Sequence, residues 1–78
     1  MINGIIGGKG DIGKNLLVPL LSRLGEVKVV DKTSTAEEWK NLWQSDLIWL
    51  AIPRDEVPKI LKNIKLKSNQ LIIDVCSI

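Results

Sequence analysis

Apolar runs and polar segments follow one another along this chain in a regular order. Ile2 to Ile6 is a short apolar run leading into glycines, the pattern of a buried strand. Asp11 to Leu24 carries Ile12, Leu16, Leu17, Leu20, Leu21 and Leu24 at helical spacing, and Gly25 is a natural stop. Glu26 to Asp31 (EVKVVD) reads as a β-branched second strand, and Lys32 to Thr35 as a polar loop. Ser34-x-x-Glu37 and Thr35-x-x-Glu38 are overlapping capping-box patterns. They predict a helix from near Ala36 to about Gln44, with Trp39 and Trp43 on one face. Asp46 to Ile52 (DLIWLAI) is nearly all apolar, as a strand covered on both faces should be, and Pro53 ends it. Arg54 or Asp55 opens a third helix, with Pro58 in its first turn and Val57, Ile60, Leu61 and Ile64 as its buried stripe. After a charged turn from Lys65 to Gln70, Leu71 to Val75 (LIIDV) reads as a fourth buried strand.

The order β-α-β-α-β-α-β with apolar strands predicts an α/β fold. Its parallel sheet has about four strands in the order 2-1-3-4, right-handed crossovers and helices on both faces. The glycine turn after the first strand then lies at the switch between strands 1 and 3. Pro19, inside the first helical pattern, should kink that helix or move its start later. The fourth strand, if an edge, is a bare apolar one, which proteins usually avoid. Residues 1–78 therefore read as one domain, the front of something longer.

Composition narrows the chemistry. A chain of 78 residues with 45% hydrophobic and 26% charged residues is globular in profile and holds one domain at most. Lys plus Arg is 11 and Asp plus Glu is 9. The resulting charge of +2 is too weak to suggest nucleic acid or an anionic membrane as the main partner. No apolar run approaches the roughly 18 residues of a transmembrane helix, and the N-terminus lacks the pattern of a secretory signal. A single cysteine fits a reducing cytoplasm. The absence of histidine removes Ser-His-Asp and Cys-His machinery and His-ligated metal from this chain.

Gly7-Gly8-Lys9-Gly10-Asp11-Ile12-Gly13 lies between the first strand and the first helix, and Gly8, Gly10 and Gly13 satisfy GxGxxG. Gly8 permits the tight turn, Gly10 lets the backbone approach a pyrophosphate, and Gly13 lets the helix lie close to the sheet. Amides at the helix start then face the phosphates, and Lys9 adds positive charge. Asp31 ends the second strand 18 residues past Gly13. An acidic residue about 20 positions on accepts hydrogen bonds from the adenosine ribose, which favours NAD over NADP. Lys32 beside it argues the other way, because a cation there could neutralise a 2′-phosphate. Both motifs also occur as a ligand-free glycine turn and a solvated turn aspartate. Gly8-x-x-x-x-Gly13-Lys14-Asn15 nearly matches a P-loop, with Leu71 to Asp74 resembling a magnesium-binding strand end. Asn15, however, replaces the Ser or Thr that binds magnesium, and that reading leaves Asp31 without a role.

Taken together, GGKGDIG, VVDK, LAIP and DVCSI make the chain resemble the N-terminal, Rossmann-like nucleotide-binding part of the prephenate dehydrogenase family (prephenate and arogenate dehydrogenases). That family has a GGxGxxG-like turn, an acidic residue after the second strand, and strands ending like LAVP and DVxSVK. The resemblance covers all 78 residues, and the short connection from Asp31 to Asp46 also resembles the family. It implies an oxidoreductase of tyrosine biosynthesis, performing NAD(P)-dependent oxidative decarboxylation. Gly8, Lys9, Gly10, Asp11 and Ile12 would contact the pyrophosphate, with Gly13 completing the motif, and Asp31 would hold the ribose. Ala51, Ile52 and Pro53 would lie along the cofactor. Ser77 would sit near the nicotinamide and the substrate hydroxyl, as the catalytic-site candidate. The family's catalytic histidine, its lysine after the SV-type dipeptide and its dimerising helical domain are not within these 78 residues. A small-molecule substrate is therefore expected only of a longer protein, and a homodimer is the expected assembly where one forms. Cys76 reads as a small buried hydrophobe, and Trp39 and Trp43 as core anchors. Alternatives are another short-loop Rossmann reductase (deazaflavin-dependent NADP reductase or imine reductase), a P-loop nucleotide-binding domain, or a cofactor-free domain pairing through the Leu71 to Val75 edge.

Overall fold

Four strands form one all-parallel sheet in the computed structural model, which describes residues 1–7, 13–62, 64 and 66–75. The strands are β1 (Ile2–Ile6), β2 (Glu26–Val30), β3 (Leu47–Leu50) and β4 (Leu71–Asp74), in the order β2-β1-β3-β4. This is the α/β sheet that the alternating pattern predicts. Ile6 lies beside Val30 and Leu50, and Leu50 lies beside Asp74, so the four strands end nearly level.

Side chains alternate across the sheet, and each face carries its own core. On one face Ile6, Val30, Ile48 and Leu50 pack with Leu42 of α2 (Ala36–Leu42) and with half-buried Val57, Ile60 and Leu61 of α3 (Val57–Leu61). On the other face Ile5 packs with Leu17, with Leu21 of the short α1 (Val18–Ser22), and with Val27, Val29 and Trp49. α1 thus covers one face while α2 and α3 cover the other. Right-handed crossovers require this when one connection runs towards β2 and the next two run back. Gly4 lets α2 come close: a Cβ there would stand 2.3 Å from Leu42 Cδ2 and 2.7 Å from the buried Ser45 Oγ.

The local chemistry refines the sequence reading in three places, and the later helix start that Pro19 predicts is the first. Gly13–Leu17 form a wider π-type turn, and the α-helix starts only at Val18, with Pro19 in its first turn. Proline has no N–H to give to the carbonyl four residues back, and in the first turn of an α-helix none is required. Only one of the two capping boxes is used. Thr35 Oγ1 accepts from Glu38 N and Glu38 Oε1 accepts from Thr35 N, whereas Ser34 Oγ accepts instead from the Asp31 amide. The third helix begins as a 3-10 turn (Arg54–Glu56), and its apolar stripe is half-buried, with no residue of it fully inside.

The two ends of the sheet differ in character. At the amino ends Asp46 fastens three strands. Its Oδ2 accepts from Ile2 N at 2.7 Å, its N–H donates to Ile2 O, and its carbonyl accepts from Leu71 N. Gln70 Nε2 donates to the carbonyls of Trp43 and Ser45, which ties the 67–70 turn to the α2–β3 loop. The carboxyl ends open into a cleft.

Candidate functional site

The cleft begins where β1 stops. Gly7 leaves the strand with φ +88°, a left-handed conformation that side chains disfavour, while its N–H still donates to Val30 O at 2.8 Å. A Cβ on Gly7 would stand 2.3 Å from the Ala51 carbonyl oxygen and 2.7 Å from Ile52 Cγ2. The turn out of β1 and the end of β3 are therefore in close approach, and only glycine fits between them.

Beyond Gly7 a cleft of about 420 Å³ opens over the carboxyl ends of β2, β1 and β3. Its floor is Ile6 and Gly7, one wall is Asp31, Lys32, Thr33 and Trp39, and the other is Ala51, Ile52, Pro53, Glu56 and Ile60. The walls are mainly apolar, with two carboxylates and one ammonium at the rim. This is the position at which open α/β sheets bind ligands, where the connections from neighbouring strands depart in opposite directions.

The wall after β2 is a tightly bonded turn. Asp31 Oδ1 accepts from Thr33 N at 2.8 Å and from Thr33 Oγ1 at 2.6 Å. Asp31 N donates to Ser34 Oγ at 2.9 Å, and Ser34 N donates to the Asp31 carbonyl at 3.1 Å. The indole Nε1 of Trp39 donates to the same carbonyl at 3.2 Å. This is an aspartate turn, the motif by which Asp bonds its own backbone two residues on. Trp39 is half-buried against the core of that face and pairs with Trp43 at 5.9 Å between ring centroids. It acts as a core anchor and also as cleft wall.

Of the residues that the sequence singles out, Asp31, Ala51, Ile52 and Pro53 meet in this cleft. Gly13 opens the π-type turn that leads into α1. Gly8, Lys9, Gly10, Asp11 and Ile12 lie outside the described residues, as do Cys76 and Ser77. Val75 itself continues β4 at the carboxyl end of the sheet, its N–H donating to Leu50 O at 3.0 Å. Sequence reasoning did not single out Gly7 for the turn, Thr33 as partner of Asp31, or Glu56 and Ile60 as cleft wall. The Gly-Gly dipeptide after a strand and the Asp-x-Thr spacing were the available signals for the first two. Glu56 and Ile60 carry no such local signal, because they reach the cleft only through the packing of α3.

Among the described residues no group of three or more His, Cys, Asp or Glu is placed to hold a metal ion. Nor is any described helix long and apolar enough to cross a membrane. Comparison with known protein families, with curated proteins and with solved structures finds no match to this chain.

Proposed function

We propose that the chain is the NAD(P)-binding part of a prephenate or arogenate dehydrogenase acting in the cytoplasm. The observation that carries the dinucleotide reading is the cleft that gathers Asp31, Gly7, Ala51, Ile52 and Pro53 over the carboxyl ends of three parallel strands. Its residues suit the group. The apolar walls of Ile52, Pro53, Ile60 and Trp39 match a flat base, and the Asp31 carboxylate is an acceptor for ribose hydroxyls. At Gly7 the backbone comes close to β3 without a side chain between them. The step to prephenate or arogenate rests on the resemblance of LAIP and DVCSI at their spacing.

When bound, the nicotinamide would supply the hydride acceptor for oxidative decarboxylation. The residues of this chain would bind and orient it. Asp31 would hold the ribose, Gly8 to Ile12 the pyrophosphate, the end of β3 the middle of the cofactor, and Ser77 the nicotinamide end. A proton acceptor for the substrate hydroxyl and the substrate pocket would come from further sequence. The 78 residues alone are therefore expected to bind cofactor with negligible turnover.

The test is tryptophan fluorescence during parallel titrations with NAD, NADP and Mg-ATP, since Trp39 lines the cleft. Saturable binding of NAD, weakened about tenfold or more in Asp31→Asn, is the expected result. Binding of Mg-ATP alone would overturn the reading in favour of a phosphate-loop protein. A folded chain that binds none of the three would overturn it as well.

A further inference from the structure

We infer that Thr33 is a positioning residue that makes the cleft select a ribose bearing free vicinal hydroxyls over one bearing a 2′-phosphate, that is, NAD over NADP. The inference rests on the dinucleotide reading of the cleft and adds to it the residue that settles the competition between Asp31 and Lys32. Both of those side chains belong to the same wall, one anionic and one cationic, and residue type alone does not decide between them.

The turn does decide. Thr33 grips Asp31 Oδ1 twice, through its amide at 2.8 Å and its hydroxyl at 2.6 Å, and Ser34 Oγ stands 3.5 Å from the same oxygen. The backbone of Asp31 is held as well, by Ser34 Oγ on its N–H and by Trp39 Nε1 on its carbonyl. The carboxylate is therefore fixed at the rim of the cleft. A 2′-phosphate at this wall would stand beside the held carboxylate, and turning that carboxylate away would break both bonds from Thr33. The Thr33 hydroxyl proton is committed to Asp31 and is not offered to a phosphate. A fixed anion receives hydroxyl donors at no reorganisation cost and repels a dianion, and this pre-organisation is the source of the selectivity.

The experiment measures NAD and NADP affinities of the full chain by tryptophan fluorescence, for the wild type, Thr33→Val and Thr33→Ser. Valine keeps the shape and the backbone bond but removes the hydroxyl, and serine restores the hydroxyl. The expected result is a wild-type preference for NAD that shrinks about fivefold or more in Thr33→Val and returns in Thr33→Ser. An unchanged ratio in Thr33→Val, with NAD still bound, would overturn the inference and leave the dinucleotide reading standing. An equal loss of both affinities would also overturn it, since that marks a merely structural role. Absence of NAD and NADP binding by the folded wild type would overturn both together.

Discussion

Replacing Gly7 by alanine tests the close approach on which the cleft is built. Two costs add. Alanine at φ +88° pays the steric penalty of the left-handed region, about 1–2 kcal/mol. Its Cβ would also lie 2.3 Å from the Ala51 carbonyl oxygen, a backbone atom that no rotamer change moves away. Relieving that contact requires the ends of β1 and β3 to part, at a cost of about 1–3 kcal/mol by analogy with overpacked cores. The total is roughly 2–5 kcal/mol, against a stability of roughly 4–12 kcal/mol for a chain of this size. Urea denaturation followed by tryptophan fluorescence is the assay. With a slope of about 1 kcal/mol per molar urea, the midpoint should fall by at least about 2 M. Gly7 and Ala51 share the cleft, so on the proposed dinucleotide reading NAD affinity should fall further than the loss of folded protein explains. A midpoint shift below about 0.5 M would refute the reasoning, because it would mean that a side chain is accommodated between the two strand ends.

Two further outcomes follow from the packing. Thr35→Ala removes the cap that accepts from Glu38 N at 3.1 Å and should cost about 1 kcal/mol in urea denaturation, most of which Thr35→Ser should recover. Trp49→Phe removes the donor that serves Asn3 Oδ1 at 3.1 Å and leaves a polar side chain that is only 3% exposed. It should cost about 1–3 kcal/mol, and Asn3→Val in the same chain should restore part of the loss, since an apolar pair leaves nothing unsatisfied. Failure of the double variant to recover any stability would mean that the bond is not what holds the two strands there.

Much of the fold was legible from short-range pattern. The bounds of β1 follow from an apolar run ending in glycines, and the start of α2 follows from the Thr35 capping box. Other points were hidden because the deciding partner is distant or competes for the same atom. Ser34 and Thr35 offer equivalent caps in the sequence, but Ser34 Oγ is occupied by the Asp31 amide. Leu16, Leu17, Leu20 and Leu21 share one helical pattern, yet only Leu17 and Leu21 are buried, while Leu16 and Leu20 are more than half exposed. A single helix lays one stripe on the sheet, and sequence spacing alone does not choose between adjacent stripes. Asp46 reads as the first residue of a strand and is in fact the fastening of three.

The candidate site divides along the same line. Asp31 was named from its spacing after the glycine turn and Ala51, Ile52 and Pro53 from the family resemblance, and they meet in one cleft because parallel strands deliver their carboxyl ends to one side. The sequence by itself therefore determined the alternation of strands and helices, the parallel sheet and the side on which the strand-end residues converge. Local periodicity and chain handedness suffice for those. Only the tertiary structure decided that Gly7 is the residue pressed against Ala51, that Thr33 grips Asp31, and that Trp39, Glu56 and Ile60 close the cleft. Those facts depend on contacts between strand ends, turns and helices that approach only after the crossovers are complete, and no window of neighbouring residues encodes them.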